Sequence, residues 1–143
     1  MRLIPPDQYK KIIQILPILC VDVIITNVRG EYLLIKRGND PYKGQWWVIG
    51  GRVLKGETLK AGVLRKVRQE TGLVVKNARP VGYFEHTSKV HYFDAKKPYH
   101  AVSVVFKVGV DNDVKVRLDK QSTAWKFAKR LPVDFRVKKF MVS

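Results

Sequence analysis

The sequence predicts an α+β domain in which one central helix packs on a mixed β-sheet. Two observations carry this prediction: the clearest helical pattern lies near the middle of the chain, and short β-rich runs both precede and follow it. No internal repeat, low-complexity tract or flexible linker divides the 143 residues. Residues 1–143 are therefore expected to form a single domain.

Before the central helix, the pattern predicts one short helix and four strands. Apolar residues at helical spacing indicate a helix over Asp7–Leu16, which Pro17 ends. Ile18–Thr26 and Glu31–Lys36 are predicted to form a hairpin around a turn at Gly30. Two shorter strands are predicted at Trp46–Ile49 and Arg52–Leu54, separated by Gly50 and Gly51.

The central helix has a start signal and an end signal. Thr58 is a candidate N-cap, and Gly72 stands where a left-handed residue would end the helix near Thr71. Between them, apolar residues recur at three- and four-residue spacing, so one face of the helix is expected to be buried.

After the helix, the chain is predicted to return to β-structure and to close with a second long helix. The polar stretch His86–Pro98 is long enough to be a functional loop. Leu131 and Pro132 suit the first turn of a closing helix over Pro132–Phe140. The strands are predicted at Leu73–Val75, Ala78–Glu85, His100–Val110 and Ala124–Phe127.

Composition and charge narrow the function classes. Cys20 is the only cysteine, which excludes a disulfide framework and a cysteine-based zinc site and fits a reducing cytoplasm. No secretory signal is evident, and the apolar stretch Ile12–Ile25 is interrupted and shorter than the roughly 20 residues of a membrane span. The net charge of +16 predicts attraction to a polyanion, for which nucleic acid, an anionic membrane surface and a nucleotide diphosphate stay open beside a solvated basic surface.

The segment Gly51–Leu73 contains the side chains best suited to binding a metal ion and a phosphate. Spacings of three to five residues bring Lys66, Gln69 and Glu70 near one face of the central helix, with Arg65 at its border. One carboxylate among cations suits Mg²⁺ and a phosphate, because Mg²⁺ commonly takes one or two protein carboxylates and completes its shell with water and phosphate oxygens. The alternative is a solvated helix surface on which Lys66 and Glu70 form an exposed ion pair of little energetic consequence.

This segment resembles the box of the Nudix hydrolase superfamily, in which glycine, glutamate and an arginine-led helix pattern follow at fixed spacing. The residues in register are Gly51, Glu57, Arg65, Val67, Glu70, Gly72 and Leu73. Lys66 and Gln69 stand in place of the first two helix glutamates of that box. The resemblance implies a Nudix fold, with a mixed β-sheet packed between α-helices, and a Mg²⁺-dependent hydrolase.

Within the superfamily, the chain is similar to the GDP-mannose mannosyl hydrolases, which keep only the last glutamate of the box. The similarity extends from about Tyr9 to Phe127 and includes Pro17, Asp22, Leu33–Arg37, Gly44–Trp46, Gly50–Val53, Phe84–His86 and Gln121. It implies that water displaces GDP from the anomeric carbon of the sugar with inversion, assisted by one Mg²⁺. Related enzymes form dimers, so a homodimer is a further expectation.

The same similarity implies roles for individual residues. The implied Mg²⁺ ligands are Glu70, Gln121 and the Gly50 carbonyl. The implied diphosphate-neutralising residues are Arg37, Arg52 and Arg65, of which Arg52 and Arg65 take a catalytic role. Asp22 would bind the sugar or orient an arginine, and Tyr9 would stack on the base. The competing interpretations are a structural ion pair for Asp22 and a core aromatic for Tyr9.

The general base is where the chain departs from this branch. Ser122 stands where family members place a histidine, and a serine hydroxyl cannot accept a proton at neutral pH without a base of its own. His86, which matches a family histidine beside the site, is a candidate catalytic substitute. The other candidates are His100, Asp119 and Glu85.

Three functions follow from these observations. The first is a Mg²⁺-dependent hydrolase of nucleoside diphosphate sugars, with GDP-mannose or GDP-glucose as leading substrates. The second is a pyrophosphohydrolase that attacks phosphorus in another nucleoside diphosphate derivative, against which Lys66 and Gln69 argue. The third is a non-catalytic binder of nucleotide or RNA, which Ser122, Lys66 and the basic charge favour.

Overall fold

The computed structural model describes residues 4–39, 43–88 and 98–140, which form two helices and an eight-stranded sheet. The helices are α1 (Pro6–Ile15) and α2 (Leu59–Thr71). The strands are β1 (Ile18–Thr26), β2 (Tyr32–Arg37), β3 (Trp46–Trp47), β4 (Ile49–Arg52), β5 (Arg79–Ser88), β6 (Tyr99–Gly109), β7 (Ser122–Ala128) and β8 (Lys138–Lys139). The sheet order is β3–β2–β1–β6–β5–β8, with β4 also paired to β1 and β7 to β2. Neither described helix has the length and apolarity needed to cross a bilayer.

Strand β1 lies at the centre of the sheet and is covered on both faces. It pairs in parallel with β6, whereas the other strand pairs are antiparallel, so the sheet is mixed. Val21 and Val23 are fully buried in the cluster that includes the apolar face of α2. Cys20 belongs to the cluster on the opposite face, with Tyr9 and Ile13 of α1. The predicted α+β class, with a mixed sheet between α-helices, is confirmed.

Helix α2 begins and ends at the predicted signals. The Thr58 hydroxyl accepts a hydrogen bond from the Ala61 N–H at 3.1 Å, which satisfies one of the helix's first amide groups. Gly72 adopts a φ of +72° and ends the helix in the left-handed conformation. Val63 and Val67 are fully buried, as the helical spacing predicts.

Two predictions near α2 are wrong. Gly50 and Gly51 do not separate two strands but lie inside β4. At these positions glycine does not form a turn; it lets neighbouring side chains lie close to the strand backbone. Leu73–Val75 forms no strand. Its apolar alternation has a different cause: Leu73 and Val75 pack into the core beneath α2, while Val74 is exposed.

The predicted closing helix over Pro132–Phe140 is also wrong. The chain turns at Pro132, inserts Phe135 beside Trp47 and Phe84, and then forms β8 against β5. The open edge of β5 offers unpaired backbone groups, and pairing with them replaces helix formation. Phe135 thereby joins the buried cluster that contains Trp47 and Phe84.

The predicted loop His86–Pro98 begins later than expected. His86 pairs with Ala101 and lies within β5, which continues to Ser88. Residues 89–97 of that predicted loop lie outside the described residues, as do residues 40–42 of the other long connection.

Candidate active site

A cavity of about 640 Å³ lies between α1, α2 and the sheet. Its lining includes every residue that the sequence analysis selected for the site, namely Tyr9, Asp22, Arg37, Gly50, Arg52, Arg65, Glu70, His86 and Gln121. The alternative bases Glu85, His100 and Asp119 are not among the lining residues. The fold therefore brings the selected residues together, and the role of each stays a prediction.

Two glycines of β4 let side chains from neighbouring elements reach the cavity. A Cβ at Gly50 would collide with the Asp22 carboxylate of β1, and a Cβ at Gly51 would lie 2.6 Å from the Lys66 Cε of α2. The Gly50 N–H donates to the Glu70 Oε2 at 3.2 Å. Glycine at these two positions therefore makes room for one acidic and one basic side chain.

Glu70 and Lys66 form an ion pair at the cavity. The Lys66 Nζ lies 3.6 Å from the Glu70 Oε1, and the side chains are 12% and 4% exposed, respectively. Burial raises the pKa of Glu70 to about 7, an effect that Lys66 opposes and Asp119 reinforces. The pair has the predicted spacing, but it is not the exposed pair of the alternative interpretation.

Arg65 makes a second, more tightly bonded ion pair. Its guanidinium donates to both Glu57 carboxylate oxygens, at 2.6 and 3.0 Å, and also to the Arg52 carbonyl and the Gln69 side chain. The Arg65 side chain holds the pKa of Glu57 below its ordinary value. Arg65 therefore ties the loop after β4 to α2, a partnership that the sequence analysis did not anticipate although both residues belong to the box.

Arg37 is aimed into the cavity by an irregularity between β2 and β7. The strand register shifts between Lys36 and Arg37, which typically re-aims a side chain. The Arg37 charge affects the pKa of Asp22, Glu70 and His86, so the guanidinium is electrostatically coupled to all three.

Arg52 lies against Tyr9 of α1. The guanidinium carbon is 4.0 Å from the ring centroid, a cation–π contact. Tyr9 is only 1% exposed. The Tyr9 ring is therefore buried against Arg52 and also lines the cavity, so its stacking on a base stays a prediction.

Burial shifts the pKa of two cavity residues, Asp22 and His86. Burial raises the pKa of Asp22 to about 6, opposed by hydrogen bonding with Ser103 and by the Arg37 charge. Burial, with the charges of Arg37 and His100, lowers the pKa of His86, so its imidazole is neutral at pH 7. Either group can therefore accept a proton.

Ser122 and Gln121 lie where β7 begins. The Ser122 hydroxyl is buried and has no hydrogen-bond partner among the described residues. Gln121 lies beside the cavity in the turn before β7, where its carbonyl accepts from the Gly38 N–H at 2.8 Å and its N–H donates to Asp119 at 3.0 Å.

Cys20 and Tyr99 also line the cavity, and no sequence pattern indicated them. The sulfur and the phenol oxygen lie 3.6 Å apart. Burial raises the pKa of Cys20 to about 12 and raises that of Tyr99 as well, so both groups stay protonated and neutral. They contribute a polar but uncharged wall beside the charged residues.

The residues at the cavity fit one Mg²⁺ rather than a cluster of ions. No group of three or more His, Cys, Asp or Glu side chains converges within the described parts of the chain. Glu70 supplies one buried carboxylate, while Lys66 and Gln69 occupy the two other glutamate positions of the box helix. One carboxylate suffices where substrate phosphates and water complete the shell.

Comparison with known proteins identifies the family. The NUDIX domain model matches residues 16–134. The low-salt glycan biosynthesis protein Agl8 of Haloferax volcanii is 36% identical over 126 residues, which cover 86% of this chain and 78% of that protein. An ADP-ribose pyrophosphatase of Methanocaldococcus jannaschii is 36% identical over 94 residues, covering 66% of this chain and 52% of that protein.

The solved structures agree with this result at the level of the fold. The crystal structure of a MutT NUDIX hydrolase from Burkholderia pseudomallei superposes with a TM-score of 0.69 at 21% identity, covering 84% of this chain and 93% of that one. Since the family model spans most of the sequence, and Gly51, Arg65 and Glu70 of the box line one cavity, this chain belongs to the NUDIX domain family.

Proposed function

We propose that this protein hydrolyses a nucleoside diphosphate sugar by attack of water on the anomeric carbon, with GDP-mannose and GDP-glucose as the first candidates. The observation that carries the proposal is the charge arrangement of the cavity, in which the buried Glu70 carboxylate lies with Lys66, Arg37 and Arg52, and Asp22 is the other acidic residue of the lining. Attack on phosphorus assisted by several ions would need carboxylates where Lys66 and Gln69 stand. A cation-rich cavity suits a departing diphosphate, whose charge grows as the bond from carbon to oxygen breaks.

Glu70, Gln121 and the Gly50 carbonyl are the residues that would hold Mg²⁺. When bound, the ion would neutralise charge on the diphosphate. The protein's own contribution comes from Arg37 and Arg52, whose guanidinium groups can meet phosphate oxygens in a two-pronged geometry. Cations held in place before the reaction need no reorganisation as the leaving group departs.

Tyr9 and Arg65 have positioning roles in this proposal. The Tyr9 ring supports the Arg52 guanidinium at 4.0 Å, and Arg65 binds the Arg52 carbonyl at 2.9 Å. The side chain and the backbone of Arg52 are thus each held by a different residue. Neither Tyr9 nor Arg65 needs to touch the substrate for its loss to misplace the diphosphate.

His86 is the proposed general base. Its lowered pKa leaves the imidazole neutral at pH 7, and the ring lies in the cavity wall. Asp22, which is ionised above a pH of about 6, is proposed to bind sugar hydroxyls or to orient Arg37. Replacing His86 by Gln is expected to lower the turnover rate by about 10²-fold or more without preventing nucleotide binding.

Proton and phosphorus NMR of GDP-mannose with the protein and Mg²⁺ tests the proposal. The expected products are GDP and mannose, with the β anomer appearing first because displacement at carbon inverts the configuration. GMP and mannose 1-phosphate would show attack at phosphorus and contradict the proposal. An unchanged spectrum across a panel of sugar nucleotides would indicate a nucleotide or RNA binder without turnover.

A second candidate is a pyrophosphohydrolase of another nucleoside diphosphate derivative. It is favoured by the 36% identity to the ADP-ribose pyrophosphatase of Methanocaldococcus jannaschii. The same NMR assay with ADP-ribose separates the two candidates, because this second function yields AMP and ribose 5-phosphate. The predicted absence of phosphorus attack rests on Lys66 and Gln69, which replace two box glutamates.

A further inference from the structure

We propose that the Lys66 ammonium takes the place of a divalent ion beside Glu70, so that the free protein binds metal weakly and Mg²⁺ enters with the diphosphate. This inference deepens the proposed function and rests on it for the nature of the substrate. It assigns a specificity-determining role to a residue that stands at a glutamate position of the box.

The position of Lys66 is fixed by its surroundings. Its side chain is only 12% exposed, and the Cε and Nζ atoms lie 2.6 and 3.0 Å from where a Cβ of Gly51 would be. The ammonium is therefore laid across a residue that has no side chain. An ordinary surface lysine would extend into solvent, whereas this one is directed along β4 toward Glu70.

Both oxygens of Glu70 have partners in the free protein. Oε2 accepts the Gly50 N–H at 3.2 Å, and Oε1 faces the Lys66 Nζ at 3.6 Å. A divalent ion that approaches this carboxylate meets a positive charge already in place. Because the pair is buried, solvent and salt screen the repulsion between the two cations only weakly.

A diphosphate changes this balance. Its negative charge supplies new acceptors for the Lys66 ammonium, so Glu70 can turn an oxygen to a cation that arrives bound to the phosphates. The Arg37 guanidinium, whose charge also acts on Glu70, gains the diphosphate as a partner as well. Metal binding and nucleotide binding are therefore expected to strengthen each other.

The test is the affinity of the nucleotide-free protein for Mn²⁺, followed by the loss of the electron paramagnetic resonance signal of the free ion. Lys66→Gln removes the ammonium and is expected to tighten Mn²⁺ binding about tenfold relative to the unaltered protein. Lys66→Glu adds a carboxylate and is expected to tighten it further. In a solution of GDP and Mn²⁺ without protein, GDP alone lowers the free-ion signal, and adding the unaltered protein to this solution should lower the signal further than protein and GDP do separately.

Lys60→Glu is the matched control, because Lys60 lies on the same helix, is exposed and is not among the cavity-lining residues. Its Mn²⁺ affinity should equal that of the unaltered protein. Equal affinity in the unaltered protein and in both Lys66 variants would overturn the inference, and so would equal tightening by Lys60→Glu. Since no turnover is measured, these outcomes are independent of whether the NMR assay supports attack at carbon.

Discussion

Arg65 and Lys66 are neighbours on α2, yet their ion pairs differ in kind. Arg65 contacts Glu57 at 2.6 Å and makes further hydrogen bonds to the Arg52 carbonyl and the Gln69 side chain. Lys66, whose side chain lies against Gly51, faces Glu70 at 3.6 Å. One pair is short and multiply bonded, and the other is longer and lies at the cavity.

The difference shows that neighbouring residues of one helix can have separate roles, one in holding the site in place and the other in ligand binding. A guanidinium whose donors are largely engaged fixes the loop after β4 and has little capacity left for a ligand. An ammonium at a longer distance can change partners when phosphates arrive. We therefore expect loss of the first pair to reduce mainly stability, and loss of the second mainly activity.

The largest expected effect is that of Glu70→Gln on turnover. Hydrolysis of the sugar nucleotide should fall at least about 10²-fold, because Glu70 is the only carboxylate in the proposed Mg²⁺ ligand set and the amide removes its negative charge. The free energy of unfolding should change by less than about 1 kcal/mol, since burial already raises the pKa of Glu70 to about 7 and disfavours its charge. Steady-state kinetics and urea denaturation measure the two quantities, and full activity would show that Glu70 holds no metal.

The next effect is that of Glu57→Gln on stability. Weakening a hydrogen-bonded ion pair with Arg65 should lower the free energy of unfolding by about 2 kcal/mol and the melting temperature by about 5 °C. Glu85→Gln is the matched control, because its pair with Lys138 is exposed on both sides and should change stability by less than about 0.5 kcal/mol. Equal destabilisation in both variants would show that the Glu57–Arg65 pair stabilises the fold no more than the exposed Glu85–Lys138 pair.

Arg52 takes part in both regions. Its carbonyl accepts a hydrogen bond from Arg65, and its side chain lines the cavity. Arg52→Ala keeps the carbonyl, so turnover should fall about tenfold while stability falls by no more than about 1 kcal/mol from the lost contact with Tyr9. Arg52→Lys retains the charge but not the two-pronged geometry and should recover only part of the activity. A stability loss without an activity loss would make Arg52 structural.

The smallest expected effect is a dependence of stability on acid pH. Arg65 holds the pKa of Glu57 below its ordinary value of 4.5, so the pair stabilises the folded state above that pH. This contribution should be lost as the pH falls below about 4.5 and through the lower folded-state pKa. The difference in unfolding free energy between the unaltered protein and Glu57→Gln should therefore narrow on acidification, as followed by urea denaturation at several pH values.

Local signals explain which parts of the fold could be predicted from the sequence. Thr58 and Gly72 mark the ends of α2 because a cap and a left-handed residue act on their own neighbours. The segment after Pro132 could not be predicted in the same way, because its strand depends on the distant open edge of β5. At Gly82 of that edge, a Cβ would run into the Lys138 carbonyl, so the pairing also depends on a glycine far from it in sequence.

The candidate site also has parts that could be predicted from the sequence and parts that could not. The resemblance to the Nudix box selected residues that the fold gathers around one cavity, and the spacing correctly suggested that Lys66 and Glu70 are neighbours. Their burial was not predictable, because it depends on Gly50 and Gly51 lying inside a strand. The attachment of Arg65 to Glu57 depends on the path of the loop between them, which spacing alone does not specify.

The parallel pairing of β1 with β6 has a consequence for how the molecule folds. Ile18 lies opposite Ala101, and Thr26 lies opposite Gly109. The parallel partner of the central strand therefore comes from the last third of the chain. Long-range parallel pairs must overcome loop-closure entropy before their contacts stabilise the chain, and they therefore slow folding. During synthesis, β1 can pair with β2 and β4 first, but its parallel pairing with β6 must wait until residue 109 has left the ribosome. Because β6 also lines the cavity, the cavity is among the last parts of the protein to form.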